Sequence, residues 1–435
     1  MDLERTDSLR HVDVVVLGAG MAGMCAAAAT AAAGAITLVV ESATTIGGSA
    51  ALSHGTVWTV RDTDVLAQED PGKYQKHGNS VVVGFDSAVA ELSGFGTALG
   101  EPVESRRRRA QRFDLPLTFL RIAQKVHSSG GGIRTACVVD QVAPGETGYR
   151  VRLRGSRDEI ETSSIIVATG GRQADPSVRA ELAGPASVLR SNEHSDGGGI
   201  DLACSLGAGI NSANRGFYGH LFPHGVAPLS GFDYRALALY HSTYGVLVDR
   251  NGQRFTDESA GDPRNTIALA AHGGDGVLLW SQATQERAAT DPGPIDLVID
   301  RWSYARDRGG QVARAESLDE AARIVRAWGF ADPAGALTTS RLTGSTVFLA
   351  RVVPGVTYTY GGLNATYQGE VLDGNGDVIP GLFTAGADMS DIYHEGYCGG
   401  LSAAAVTGMT AGRAAATWAL GDTEPAARST IKTVP

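Results

Sequence analysis

Runs of adjacent apolar residues, rather than strict alternation, mark the buried strands of this chain. Val12–Leu17 is a short β-branched run of the kind that fills a parallel strand covered on both faces. A glycine-rich turn follows, and then an alanine-rich stretch from Ala22 to Ala33 composed of strong helix formers. Gly34 ends that helix, and Ile36–Val40 reads as a second strand closed by Glu41. Together these pieces make a β-α-β unit of about thirty residues.

Farther along, the apolar spacing of Leu115–Val126 predicts an amphipathic helix, and Ile133–Val142 and Tyr149–Leu153 read as strands. Ile165–Ala168 is a third buried strand, running into Thr169-Gly170-Gly171. Residues 60–110 look polar and irregular, and the basic run Arg106–Arg109 within them reads as a solvated loop. From 216 to 344 aromatic and charged residues become more frequent, with an Asn251-Gly252 turn between Gly245–Val248 and Arg254-Phe255. Strand-like segments around 356–384 precede a second alanine-rich helix, Ser402–Leu420, and the last dozen residues read as disordered. The pattern predicts an α/β fold: a Rossmann-like dinucleotide-binding domain in two pieces, 1–215 and 345–435, with an α+β cap domain inserted at 216–344.

Composition narrows the partners. The 435 residues are 43% hydrophobic and 19% charged, and 37 basic against 47 acidic residues give a net charge of -10. That balance argues against nucleic acid or an anionic membrane as the main partner. The four cysteines (Cys25, Cys137, Cys204, Cys398) form no C-x-x-C pair, so no disulfide framework or zinc site is expected, and no metal of any kind. Met1–Arg10 is polar, and the apolar stretch after it is interrupted by Asp13 and by glycines, as in neither a signal peptide nor a membrane span. A cytoplasmic location is the expectation.

The turn Gly18-x-Gly20-x-x-Gly23 carries the first chemistry. Its first glycine permits a tight turn and its second lets a diphosphate approach the backbone. The third, beside Ala22, lets helix and strand pack closely with the phosphates at the helix N-terminus. Glu41, 23 residues beyond Gly18, stands at the end of the second strand, where a carboxylate accepts hydrogen bonds from a ribose diol. Two further segments favour FAD over NAD. Gly47-Gly48-Ser49 supplies a second turn close to the first. Strand Gly381–Thr384 runs into Gly386, and Gly399-Gly400-Leu401-Ser402 opens the last helix, whose positive end suits a reduced isoalloxazine. No second G-x-G-x-x-G follows a strand, so electrons must be exchanged with an external donor or acceptor.

These segments together resemble the fumarate reductase and succinate dehydrogenase flavoprotein family, which includes the 3-ketosteroid dehydrogenases. Val14–Ser49 is similar to its FAD fingerprint, Ile165–Gly171 to its ATGG strand, and Gly197–Ala203 to its G-D-G-I-x-M-A segment. Gly252–Glu258 is similar to its G-x-R-F-x-x-E hairpin, and Tyr360-Gly361-Gly362, Gly369–Leu372 and Ile379–Phe383 complete the order. Only residues 60–130 match poorly. The resemblance implies FAD contacts at Val138, Thr169, Gly170, Gly386, Gly400, Leu401 and Ser402. Ala387 replaces the family's glutamate, which leaves Asp388 as the carboxylate nearest the ribityl chain. Gly48 stands where membrane succinate dehydrogenases carry a flavin-linked histidine, so noncovalent FAD is implied.

The family exchanges a hydride with a carbon–carbon bond beside a carbonyl. Arg264, in Pro263-Arg264-Asn265, is similar to its proton-delivering arginine element. His220 and His224, flanking Phe222-Pro223, fall where relatives have an active-site histidine–proline pair. Tyr358 and Tyr397 replace the histidine and the arginine that hold a C4 dicarboxylate. A ketone-like substrate larger than a C4 diacid is therefore implied, its oxygen held by Tyr397 as in ketosteroid dehydrogenases. A flavin-dependent hydroxylase or oxidase, and a non-catalytic FAD-bound electron-transfer or scaffold protein, stand as alternatives.

Overall fold

The computed structural model describes residues 9–72, 76–226, 229, 231–293, 296–338, 342 and 344–421. The chain divides into two compact units: unit 1 is Met1–Arg172, Asn192–Gly216 and Tyr358–Pro435, and unit 2 is Gln173–Ser191 and Phe217–Thr357. Numbered along the chain, unit 1 contains β1 (His11–Leu17), β2 (Thr37–Val40), β3 (Thr56–Val60), β4 (Ala98–Glu104), β5 (Arg108–Phe113), β6 (Gly132–Arg134), β7 (Val139–Pro144), β8 (Tyr149–Leu153) and β9 (Glu159–Val167). Unit 2 contributes β10 (Val188–Leu189), β11 (Phe217–Pro223), β12 (Val246–Val248), β13 (Gly276–Ser281), β14 (Val312–Ala315) and β15 (Val347–Thr359). Unit 1 then closes with β16 (Glu370–Leu372) and β17 (Val378–Thr384).

The main sheet of unit 1 has the order β16-β17-β9-β1-β2-β6, with β8 and β7 branching from β9. β1 lies between β2 and β9 and is parallel to both. A strand in that position is covered on both faces, which is why Val14, Val15 and Val16 form an unbroken apolar run, each with no exposed surface. The helix Met21–Ala32 follows β1, and the long helix Gly400–Leu420 packs on it. Small residues let their backbones approach closely. A Cβ on Gly408 would meet the Ala22 carbonyl oxygen at 2.3 Å, and one on Gly412 would meet that of Ala26 at 2.5 Å. The pairings 408 with 22 and 412 with 26 run in the same direction, so the two helices are parallel.

Unit 2 is built on a mixed sheet, β10-β15-β13-β12, with β11 and β14 also paired to β15. The parallel pairing of β10 with Gly355 and Val356 of β15 draws residues 173–191 and 345–357 into this unit, outside the expected limits of 216 and 344.

Several local expectations are corrected. The described residues of 60–110 include two helices, Thr63–Glu69 and Gly78–Ser93, and the β4–β5 hairpin. Their polarity comes from exposed faces: β4 is exposed along its whole length. The arginine run sits at the β4–β5 turn and is paired in part, Arg107 with Glu69 at 2.6 Å and Arg109 with Asp86 at 2.7 Å. The single strand expected over 133–142 is broken at Ala136, whose φ of 55° lets its N–H reach the Ala43 carbonyl while that of Cys137 reaches Glu41. Beyond the Asn251-Gly252 turn only an isolated Val248–Arg254 bridge forms, because β12 takes β13 as its partner. The residues expected to be disordered at the C-terminus lie outside the described ones. Among the described residues no helix is long and apolar enough to cross a membrane.

A Cβ on Gly23 would come within 1.9 Å of the Gly18 carbonyl oxygen. Gly23→Ala is therefore expected to lower stability by about 1–3 kcal/mol through overpacking, read as a fall in the chemical-denaturation midpoint. A midpoint equal to wild type would show that this contact does not constrain the fold.

Candidate active site

The two N-terminal glycine turns converge. Gly47 N–H donates to the Ala19 carbonyl at 2.8 Å, and Gly20 and Gly47 form a parallel bridge. Gly18, at φ 99°, can accommodate no side chain, since its Cβ would meet the Ala168 carbonyl oxygen at 2.3 Å. Gly20 differs: a Cβ there would meet nothing within 4 Å, and its φ of -74° is ordinary. It caps the helix Met21–Ala32 without a side-chain hydrogen bond. The result is an open backbone surface before an unscreened positive helix end, which fits a diphosphate. Glu41 is buried, accepting from Ala19 N–H and Ala43 N–H at 2.7 Å each. These bonds lock the carboxylate beside the first turn, and its remaining lone pairs suit a ribose diol. Ser49 Oγ accepts from Asn192 N–H at 3.2 Å, a partner the sequence did not point to. The Val138 carbonyl accepts the Arg154 N–H.

Farther into unit 1, several residues expected to touch the cofactor also tie the scaffold together. Asp388 is fully buried, and its carboxylate accepts from Thr169 N–H and Oγ1, from Gly170 N–H at 3.1 Å and from Gly171 N–H at 2.8 Å. Burial pushes its carboxyl up, opposed by these donors. Asp388 thereby braces the turn after β9, engaging the Thr169, Gly170 and Gly171 N–H groups. Gly386 N–H donates to Thr407 Oγ1 at 2.9 Å. Ser402 Oγ ties the start of the last helix to the Trp58 carbonyl at 2.7 Å, while Gly400 and Leu401 form that helix's first turn.

Around this helix start lies a group of aromatic side chains. Tyr397 stands edge-on to Trp58 at 5.8 Å and to Tyr393 at 5.9 Å, and Tyr358 stands edge-on to Tyr360 at 5.4 Å. Two of the hydroxyls are tied to backbone: Tyr360 donates to the Gly396 carbonyl at 2.6 Å and Tyr393 to that of Gly399 at 3.0 Å. Tyr397 is held differently. Its oxygen accepts the Gly400 N–H at 2.7 Å, so its own proton is directed elsewhere. Tyr358 is half-buried and its phenol is pushed up, first by burial and then by Tyr397.

Asp70 secures the loop before Tyr397, and sequence reasoning missed it because its surroundings looked irregular. Wholly buried, it accepts from His394 N–H at 3.0 Å and from Glu395 and Gly396 N–H at 2.7 Å each. The only cue was Asp-Pro-Gly at 70–72, which reads as a turn.

In unit 2, Arg264 is half-buried on the helix Asp262–Ala271. Arg254 pairs with buried Glu258, Nε to Oε2 at 2.9 Å, and Glu258 also accepts Leu247 N–H at 2.8 Å, so this hairpin pair is structural. His220 is buried, its Nδ1 bonded to Asp262 and its Nε2 2.8 Å from the Tyr218 hydroxyl. His224 is half-buried and donates its N–H to Arg351 O at 2.8 Å.

A diphosphate cradle on a doubly covered parallel sheet, with a second glycine turn paired to it, defines a flavin dinucleotide-binding protein. The chain belongs to the FAD binding domain family, whose profile matches residues 13–92 and 84–402. FAD is its cofactor, and it is an FAD-dependent oxidoreductase. The chain is 23% identical over 442 residues to a fumarate reductase (cytochrome) of Shewanella frigidimarina, covering 89% of this chain and 74% of that protein. It is 24% identical over 479 residues to a vinyl phenol reductase of Lactiplantibacillus plantarum, covering 91% and 93%. Its fold is similar to that of a 3-ketosteroid Δ1-dehydrogenase from Sterolibacterium denitrificans, with a TM-score of 0.71, 14% identity, and coverage of 94% and 100%.

Gly20→Ala separates cofactor binding from folding. The apoprotein should melt as wild type does, within about 0.5 kcal/mol, while FAD content after purification falls sharply. Full FAD occupancy would place the diphosphate elsewhere. Asp70→Ala leaves three N–H groups, that of Gly396 buried, without their acceptor, and a loss of about 1–2 kcal/mol is expected from denaturant titration.

Proposed function

We propose that the protein oxidises or reduces a carbon–carbon bond beside a carbonyl, in a ketone-like substrate larger than a C4 diacid. FAD, held noncovalently, supplies the N5 position that exchanges a hydride with the substrate carbon. The observation that carries the reading is the Tyr397 hydroxyl, fixed by the Gly400 N–H at the start of a 21-residue helix. A phenol held that way presents its proton to a carbonyl oxygen and stabilises the developing enolate. Tyr358, whose phenol is pushed up and so stays protonated, is a second donor.

The aromatic surroundings support the substrate class. Trp58, Tyr358, Tyr360 and Tyr393 place rings around Tyr397, and Arg108 nearby stacks its guanidinium on the Trp58 ring at 4.6 Å, a setting that suits a planar conjugated ketone better than a small dianion. The named relatives act on fumarate, vinyl phenol and 3-ketosteroids, whose shared chemistry is an alkene conjugated to an activating group. Proton transfer in this reading falls to Arg264 or a tyrosine. The four cysteines are free, and the same reading places the protein in the cytoplasm with an external electron partner.

The purified protein should be yellow and release its flavin on acid precipitation. Flavin remaining in the pellet would refute the noncovalent reading. Tyr397→Phe is expected to slow reoxidation of the reduced protein by a conjugated ketone, such as 1,4-androstadiene-3,17-dione, by roughly 10²-fold with FAD content unchanged. Reoxidation at the wild-type rate would remove Tyr397 from the chemistry.

A further inference from the structure

Two side chains in the interior of unit 2 carry hydrogen-bond donors that no neighbour accepts. Arg301 opens the helix Arg301–Asp307 and is 5% exposed. Its Nε and Nη2 are buried and have no hydrogen-bond partner among the described residues. These two nitrogens form one edge of the guanidinium, where parallel N–H groups match the two oxygens of a carboxylate. His241, on the short 3₁₀ helix Tyr240–Tyr244, is 7% exposed, and neither ring nitrogen has a partner among the described residues. Buried polar groups are ordinarily satisfied, and a buried charge without a counter-charge is among the most costly things a core can hold.

The two side chains share one neighbourhood. The Arg301 guanidinium lies over the Tyr240 ring, 5.2 Å from its centre, and Tyr240 directly precedes His241. A second route also joins them. His241 stands edge-on to Trp280 at 4.8 Å, and Trp280 Nε1 donates to Gln285 Oε1 at 2.9 Å. Gln285 Nε2 donates in turn to Asp300, the residue before Arg301, at 2.7 Å. The imidazole feels the guanidinium: His241 is pulled down to about 3, first by burial and then by Arg301. It is therefore neutral, with one N–H and one lone pair. The carboxylates of this region are engaged elsewhere. Asp300 accepts from Gln285 and from the Ser303 hydroxyl at 2.6 Å, and Asp262 accepts from Leu221 N–H at 3.2 Å and is bonded to His220.

We propose that unit 2 binds a small monocarboxylate, of formate to acetate size, whose oxygens accept the Nε and Nη2 N–H groups of Arg301 and the N–H of His241. Each observation limits the ligand. The unmet groups include three donors, so the ligand must be an acceptor. One guanidinium lacks a counter-charge, so a single negative charge balances it. A halide offers one centre to a two-donor edge, whereas a carboxylate offers two oxygens at the matching spacing. Both side chains are enclosed, which restricts the ligand to a few atoms. The Tyr240 ring under the guanidinium and Trp280 beside the imidazole hold both donors in place beforehand, so little side-chain freedom is lost on binding. The site lies wholly within unit 2 and is independent of the redox reading above.

The test uses the full-length, FAD-loaded protein in urea titrations, with sodium formate exchanged for sodium chloride at constant ionic strength. The midpoint should rise with formate, the folding constant increasing about tenfold for each tenfold of formate above Kd. The ¹³C-formate resonance should broaden in the presence of the protein, and excess acetate should reverse the broadening. Arg301→Met removes the buried charge and keeps most of the volume, a kind of change that cores tolerate. It should fold with full FAD content and lose the response to formate. Arg301→Lys keeps the charge without the two-donor edge and should need about tenfold more formate for the same rise. If Arg301→Met does not fold, the wild-type Arg301 Nε–H resonance decides: a shift on adding formate supports the site, and an unmoved resonance overturns it. A midpoint equal in formate and chloride, or an Arg301→Met protein that still responds to formate, overturns the site and leaves the flavin chemistry untouched.

Discussion

The closest approach that organises this protein is between two pieces of backbone. Gly23 lies so near the Gly18 carbonyl oxygen that a methyl group would stand 1.9 Å from it, and Gly408 and Gly412 approach the same helix from the other side. Three consequences follow from that one constraint. The helix Met21–Ala32 begins directly at the end of β1 and aims its N–H groups past Gly20. It must be made of small residues, which explains why alanine and not leucine fills it. Its partner, Gly400–Leu420, runs parallel to it and starts about seven residues earlier along the common direction, roughly 10 Å of helical rise. The two positive ends therefore point the same way at different depths, one behind the Gly18–Gly20 turn and the other behind Tyr397.

Loops between such rigid elements need their own anchors, and here buried carboxylates provide them. Asp388 gathers the N–H groups of Thr169, Gly170 and Gly171, and Asp70 gathers those of His394, Glu395 and Gly396. Both carboxyls are pushed up by burial and pulled down by the amides around them. A carboxylate surrounded by amides turns irregular backbone into something as well determined as a helix, since each N–H would otherwise be buried without an acceptor. The turn after β9 and the loop before Tyr397 are both fixed in this way.

The glycine turn after β1 was legible in the sequence because its requirements are local. Gly18, Gly20, Gly23 and Glu41 sit at spacings set by one strand, one turn and one helix, and those spacings survive in the linear chain. The bracing bonds of Asp388 were not legible for the opposite reason: its partners are more than 200 residues away, and nothing near it in sequence announces them. Asp70 was hidden by the polarity of residues 60–110, which belong to surface helices and an exposed hairpin whose composition imitates a loop. Domain limits erred at 173–191 because a two-residue strand, β10, carries no periodic signal. In the cap, attention fell on Arg264 since arginine is conspicuous. Asp262 drew none, yet it is the residue bonded to His220.

Five tyrosines and one histidine illustrate how little a residue type decides by itself. Tyr360 and Tyr393 give their protons to the carbonyls of Gly396 and Gly399, so each is a structural tie. Tyr397 accepts from Gly400 and is left as a donor toward its surroundings. Tyr358 is raised by burial and by its neighbour, which keeps it protonated and suits it to donation. Tyr218 has an imidazole lone pair behind its oxygen, and behind that a carboxylate. What stands behind the phenol sets its direction: a backbone N–H makes it a donor toward substrate, whereas a base makes it able to accept.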